Sequence, residues 1–266
     1  MKDNKLQEIT ACRITLPEID MVKEQCCAAV EEALTLSIEE VGDITLMCTP
    51  VDIDALALGF LFSEGYIISK DEAKLVSSPA ESMGSPVMLV TLDNLEEYER
   101  GRNLIVTSSC GACGVRSIQS LVASATVERT LVISAERLVA LADMMRERQE
   151  IFHSTGGTHA AAIFHENGDI CSFAEDIGRH NALDKAVGKL LLAGGVSGSC
   201  GVMLSGRVSF EMVAKAARAG IELIAAVSAP TSMAIEAAEK CGITLCCFVR
   251  QKRLTVFTNP ERITDL

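Results

Sequence analysis

Apolar and polar positions alternate over residues 10–16 and 33–38, the period-two rhythm of half-buried strands, and residues 42–49 form a third strand candidate. The rhythm then widens. Leu56, Leu58, Phe60 and Leu61, with Asp52 or Asp54 as a cap and Gly65 as a stop, predict a helix over residues 52–62. Two prolines and a glycine in residues 77–86 predict a loop, and the short β-branched runs at 87–92 and 103–107 predict strands.

The second half is more regular. Ser134 is placed to cap a helix that turns Leu138, Leu141, Ala142 and Met145 to one face. Residues 160–164 and 170–173 flank His165-Glu166-Asn167-Gly168 and predict a hairpin with an Asn-Gly turn. Helices near 181–192, 210–219 and 232–240 then alternate with strands at 202–205 and 222–228, and strands at 243–249 and 254–258 close the chain. This order predicts an α/β protein: a layered, partly parallel sheet over residues 126–266, preceded by a smaller α+β domain over residues 1–125. In such sheets ligands sit beyond the carboxyl ends of the strands. Ser205-Gly206-Arg207 and Ser228-Ala229-Pro230-Thr231 occupy that place, each just before a helix whose free N–H groups suit a phosphate.

Composition narrows the function classes. The 266 residues are 48% hydrophobic and 23% charged, which excludes a disordered chain. A formal net charge of -12 repels nucleic-acid phosphates, so a nucleic-acid partner is not expected. The N-terminal stretch lacks the apolar core of a secretory signal, and no apolar run reaches the roughly 20 residues of a membrane span. The expectation is a cytoplasmic protein without a membrane partner. Eleven cysteines, an odd number, argue against a disulfide framework and for thiols used mostly as small core residues. Cys26-Cys27 and Cys246-Cys247 are adjacent pairs, which a strand would turn to opposite faces.

Cys110-Gly111-Ala112-Cys113-Gly114 carries the one cysteine spacing that invites chemistry. Thiols at i and i+3 meet a common atom or each other, and an ensuing helix with Ile118, Leu121 and Val122 would favour thiolate at its N-terminus. Spacing alone leaves four readings open: half of a zinc site, a thiol–disulfide pair, core placement, or sulfur transfer. No second CxxC or CxxH supplies further zinc ligands nearby, although Cys171, Cys200, Cys241, His153, His159 or His180 could do so from a distance. A zinc deaminase wants H-x-E and P-C-x-x-C, whereas here His165 is followed directly by Glu166 and Ser109 stands at the proline position.

Three polar blocks stand out: Thr155-Gly156-Gly157-Thr158-His159-Ala160-Ala161, Glu175-Asp176-Ile177-Gly178-Arg179-His180-Asn181-Ala182-Leu183-Asp184-Lys185, and Ser205-Gly206-Arg207-Val208-Ser209. Their small residues admit close backbone approach, and the embedded side chains can orient a ligand; the plain alternative is a capped helix with a solvated charged face. Near the C-terminus, Phe248-Val249-Arg250-Gln251-Lys252-Arg253 puts three cations into four residues, which suits a pyrophosphate or an exposed hairpin turn.

With these segments in view, the chain resembles the formate dehydrogenase accessory sulfurtransferase family. The match runs from about Glu31 to Arg262. It includes residues 54–60, Ser63-Glu64-Gly65, the Cys110/Cys113 loop, the polar blocks through Lys185, and Ser205-Gly206-Arg207. The resemblance implies a homodimeric sulfur carrier with a cytidine-deaminase-like C-terminal domain. It implies that Cys110 takes persulfide sulfur from a cysteine desulfurase, with Cys113 as second thiol. The acceptor would be the molybdenum bis(molybdopterin guanine dinucleotide) cofactor destined for formate dehydrogenase, held by residues 248–253, with no permanent metal. Thr155, Gly156, Gly157, His159, Asp176, Arg179, His180, Asn181, Ser205, Gly206 and Arg207 are the further candidate cofactor contacts. The competing expectations are a cofactor-binding chaperone without sulfur transfer and a zinc-dependent deaminase-like hydrolase.

Overall fold

The structure is a computed structural model and describes residues 5–17, 20–82, 85–93, 125, 127–128, 130–195 and 200–265. Cys110 and Cys113, and the strand expected at 103–107, lie outside the described residues.

The chain begins with a two-stranded antiparallel ribbon, β1 (Leu6–Thr15) against β2 (Asp20–Ala29). A four-stranded sheet follows in the order β4-β3-β6-β5, from β3 (Glu32–Ile38), β4 (Gly42–Cys48), β5 (Ala73–Ser82) and β6 (Ser85–Leu92). The expected loop at 77–86 is thus largely strand. β5 is the outer strand, where a proline forfeits little pairing, and its register against β6 breaks between Ser78 and Ser82, around Pro79.

Helix α1 (Ile53–Glu64) is apolar nearly all round and correspondingly buried, and Gly65 ends it at φ 83. Asp52 precedes it in a left-handed conformation and makes no capping bond; its carboxylate instead meets Lys189 at 2.6 Å.

The second half is built on a six-stranded sheet in the order β13-β12-β11-β10-β8-β9. Its members are β8 (His159–His165), β9 (Ile170–Asp176), β10 (Cys200–Leu204), β11 (Leu223–Ala226), β12 (Thr244–Arg250) and β13 (Arg253–Thr258). β10, β11 and β12 run parallel, joined through α5 (Phe210–Arg218) and α6 (Ser232–Cys241), as strand–helix alternation predicts. β8 and β9 form the expected hairpin, with Gly168 at φ 78 in its turn. A small parallel pair, β7 (Ile133–Ser134) with β14 (Ile263–Thr264), ties the C-terminus to the start of α2 (Ala135–Glu147).

Helices cover both faces of this sheet. α1, α4 (Arg179–Leu192), α5 and α6 pack on one face together with apolar residues of β3, β4 and β6, so the largest core draws on both halves of the chain. α2 covers the other face with Leu138, Leu141, Ala142 and Met145. Ser134 caps it by accepting from the Arg137 amide at 3.1 Å. Cys246 belongs to the α2-side core and Cys247 to the opposite one, as their neighbouring strand positions require.

Buried charges tie the helices together. Lys215 of α5 reaches Glu64 of α1 at 2.9 Å and Asp184 of α4 at 2.8 Å. Lys185 meets Asp176 at 2.6 Å, with neither side chain exposed, and donates to the Thr49 carbonyl. Among the described residues no helix is long and apolar enough to cross a membrane.

Candidate functional site

The carboxyl end of β10 and the start of β8 lie side by side because these strands are antiparallel. The Ser205 hydroxyl accepts from the Ala160 amide at 2.8 Å, and its Oγ is 3.5 Å from His159 Nδ1. Leading into His159 is a short helix, α3 (Glu150–Thr155), which ends at Gly156 with φ 68. The Thr155 hydroxyl donates to the Ile151 carbonyl and accepts from the Gly157 amide.

A single buried carboxylate, Glu175 on β9, fixes this turn. It accepts from the Ile151 and Phe152 amides at the N-terminus of α3 and from the Thr158 hydroxyl at 2.9 Å. The glycine-containing loop is therefore held at both ends.

Above it lies a cavity of about 760 Å³. Its floor is Gly156, Gly157, Thr158, His159, Ser205 and Val227; one wall is α2 with Gln149 and Phe152, and the other is Val249, Arg250, Gln251 and Lys252. Arg146, Arg250 and Lys252 stand against one lining carboxylate, Asp143, so the lining is cationic in an acidic chain. The volume lies in the usual range for small-molecule sites, roughly 300–1,000 Å³.

The cationic wall has unusual backbone. β12 pairs with β13 through Arg250 and Arg253, leaving Gln251 and Lys252 as a two-residue turn with φ 52 and 59. Phe248 has φ 56 where the β12–β13 register shifts. Left-handed backbone at three non-glycine positions in five residues is costly, and such strain clusters at functional sites.

The chain as a whole is similar to known proteins. The family model described as FdhD/NarQ matches residues 29–264. The chain belongs to this family. A "Sulfur carrier protein FdhD" of Picrophilus torridus is 41% identical over 242 residues, covering 88% of this chain and 90% of the relative. Another of the same description, from Saccharolobus solfataricus, is 39% identical and covers 94% and 96%. A crystal structure from Desulfotalea psychrophila, provisionally assigned as a formate dehydrogenase accessory protein, superposes with a TM-score of 0.77 at 24% identity over 97% of this chain and 99% of that one. It shows the same fold.

In this FdhD/NarQ member the cavity gathers Gly156, Gly157, His159, Ser205, Val249, Arg250, Gln251 and Lys252 from segments far apart in sequence. Other candidates are placed elsewhere. Asp176 is fully buried; it accepts from the Thr49 and Gly178 amides and from the Asn181 side chain, so it positions a loop and does not line the cavity. Asn181 also donates to the Met47 carbonyl. Phe248 turns toward Phe257, with ring centroids 6.3 Å apart. Thr155 lines a neighbouring hollow at the base of the ribbon, with Cys27 and Met47. Arg179, His180, Gly206 and Arg207 lie outside the cavity lining, and Arg253 is not part of it either.

Sequence reasoning missed Asp143, Arg146, Gln149 and Phe152. The only available signal was Arg146 next to the buried Met145, which reads like any solvated helix face. Among the described residues no three His, Cys, Asp or Glu side chains converge to hold a metal ion. His165 stands at the far end of β8 from His159, roughly 20 Å along a strand.

Proposed function

We propose that this protein is a sulfur carrier that takes persulfide sulfur on Cys110 from a cysteine desulfurase and passes it to the molybdenum bis(guanine dinucleotide) cofactor of a formate dehydrogenase. The observation that carries the acceptor half is the cavity: cationic, partly apolar, floored by a rigid glycine loop, and of a size for one nucleotide arm and not the whole cofactor. Phe152, Val139 and Met145 offer apolar contact to a purine, while Arg146, Arg250 and Lys252 suit a pyrophosphate. The relatives described as sulfur carriers support the transfer half. We read the working form as a cytoplasmic homodimer. We also read the mixed sheet, an antiparallel hairpin followed by three parallel strands, as cytidine-deaminase-like.

The chemistry at the cysteines is thiol exchange. The Cys110 thiolate attacks the outer sulfur of the donor persulfide, the donor thiolate leaves, and Cys110 carries the terminal sulfur. Cys113 either takes over that sulfur or attacks the Cys110 sulfur. The second route releases hydrosulfide toward the acceptor and leaves a Cys110–Cys113 disulfide for a cellular dithiol to reduce.

Incubating the protein with a desulfurase and cysteine, then reading intact mass, tests the carrier role. The wild type should gain one sulfur atom and Cys110→Ala should not. Full loading of the alanine variant refutes the assignment. A chaperone that only holds the cofactor predicts instead that Cys110→Ala still supports formate dehydrogenase activity.

A further inference from the structure

His159 has a second face. Outside the cavity lining, Gly206 is wedged between the His159 ring and Arg179: a Cβ added there would lie 3.2 Å from His159 Nδ1 and 3.4 Å from the Arg179 Cβ. Arg179 and His180 open α4, and Arg207, exposed, leads into α5. Arg179 Nε and His180 Nε2 are both buried atoms without a hydrogen-bond partner, and Arg179 makes no ion pair among the described residues. A buried guanidinium N–H is costly to leave unpaired, so Arg179 keeps a donor for a ligand oxygen or a water.

We infer that Arg179, His180 and Arg207, close to His159 but outside the cavity lining, form a second subsite that binds a phosphoryl oxyanion. The inference rests on the proposed nucleotide-bearing acceptor and deepens it: beside the cavity's own cations, this cluster gives the phosphate end of the ligand a further hold.

The local field agrees with the geometry. Burial, then Arg179 and Lys215, hold His180 down to about 4, against an opposing pull from Glu211. Burial, then Arg179 and Arg207, lower His159, against Asp176. Lys215 is already matched by Glu64 and Asp184, and Asp176 by Lys185. Of the groups facing the cluster, that leaves Arg179 and Arg207 against Glu211. Arginine suits phosphate because its planar fork donates two parallel bonds.

The test titrates the full-length protein with guanosine, GDP and inorganic pyrophosphate by calorimetry. GDP should bind more tightly than guanosine. Arg179→Gln should cut GDP affinity about tenfold or more while leaving guanosine affinity as it was. Arg207→Gln, an exposed position with little folding risk, should lower GDP affinity in the same selective way. Equal GDP affinity in wild type and both variants overturns the subsite. If pyrophosphate alone binds as tightly as GDP with the same Arg179 dependence, the oxyanion site stands and its ligand is free phosphate. If guanosine and GDP both fail to bind, the acceptor reading falls while the pyrophosphate titration still decides the subsite. Sulfur loading of wild-type Cys110 tests the carrier role independently of all three ligands.

Discussion

At the scale of residues, the polar blocks hold two kinds of side chain that look alike in sequence. Asp176 and Glu175 are adjacent carboxylates, and both are spent inside the fold: one on the Thr49 amide and Lys185, the other on α3 and Thr158. His180 belongs to the other kind, being partly open, unpartnered at Nε2 and held near 4. That depression has a consequence for stability. The unfolded chain binds a proton at His180 near its ordinary 6.5, and the folded chain does so only near 4, so the unfolded state holds more protons between these values. Stability from this group is therefore present above 6.5 and is lost as the pH falls toward 4; His159 acts in the same direction. Urea midpoints measured across this interval should fall with acid in the wild type and fall less steeply in His180→Gln. An identical acid slope in both proteins would assign the titration to other groups.

At the scale of elements, the β12–β13 turn shows function competing with propensity. A two-residue hairpin turn with both φ values positive is best served by Asn-Gly, yet this one carries Gln251 and Lys252, both of which line the cavity. Gln251→Asn with Lys252→Gly should raise stability by about 1–2 kcal/mol by relieving left-handed strain, and should weaken GDP binding. Thermal melting and calorimetry on one preparation decide this; a variant gaining both stability and affinity would show that the strain serves no ligand. The same contest explains which elements could be read in advance. α2 was legible because its burial stripe and its Ser134 cap agree, and the β8–β9 hairpin because Asn167-Gly168 stands between two apolar runs. β2 was not, because none of its residues is fully buried, so no core-facing stripe imposes a strong alternation. β5 was missed because its proline and serines suit an edge strand as well as a loop. Half of the candidate site was visible as small and cationic residues, whereas the α2 wall carries ordinary surface side chains whose role comes only from what packs opposite.

At the scale of the whole molecule, the two halves meet through one unusually close helix crossing. A Cβ at Gly59 of α1 would lie 1.8 Å from the Asp184 carbonyl oxygen of α4, and one at Gly188 would lie 1.9 Å from the Ala55 carbonyl oxygen. The obstacles are backbone atoms, so no rotamer change relieves them, and the helices must separate. Separation would also stretch the Lys215 bridge between Glu64 and Asp184, which is buried and poorly tolerant of a lost partner. Gly59→Ala and Gly188→Ala should each cost about 3 kcal/mol in urea unfolding. Both report on one interface, so the double variant should cost less than the sum of the singles, the first substitution having already opened the gap that the second needs. Because α4 begins with Arg179 and His180, the same displacement should reduce GDP affinity more than guanosine affinity even though neither glycine touches the cavity. Additive stability losses with unchanged nucleotide binding would mean that each helix adjusts locally, and that the crossing does not set where the anion-binding end of α4 stands.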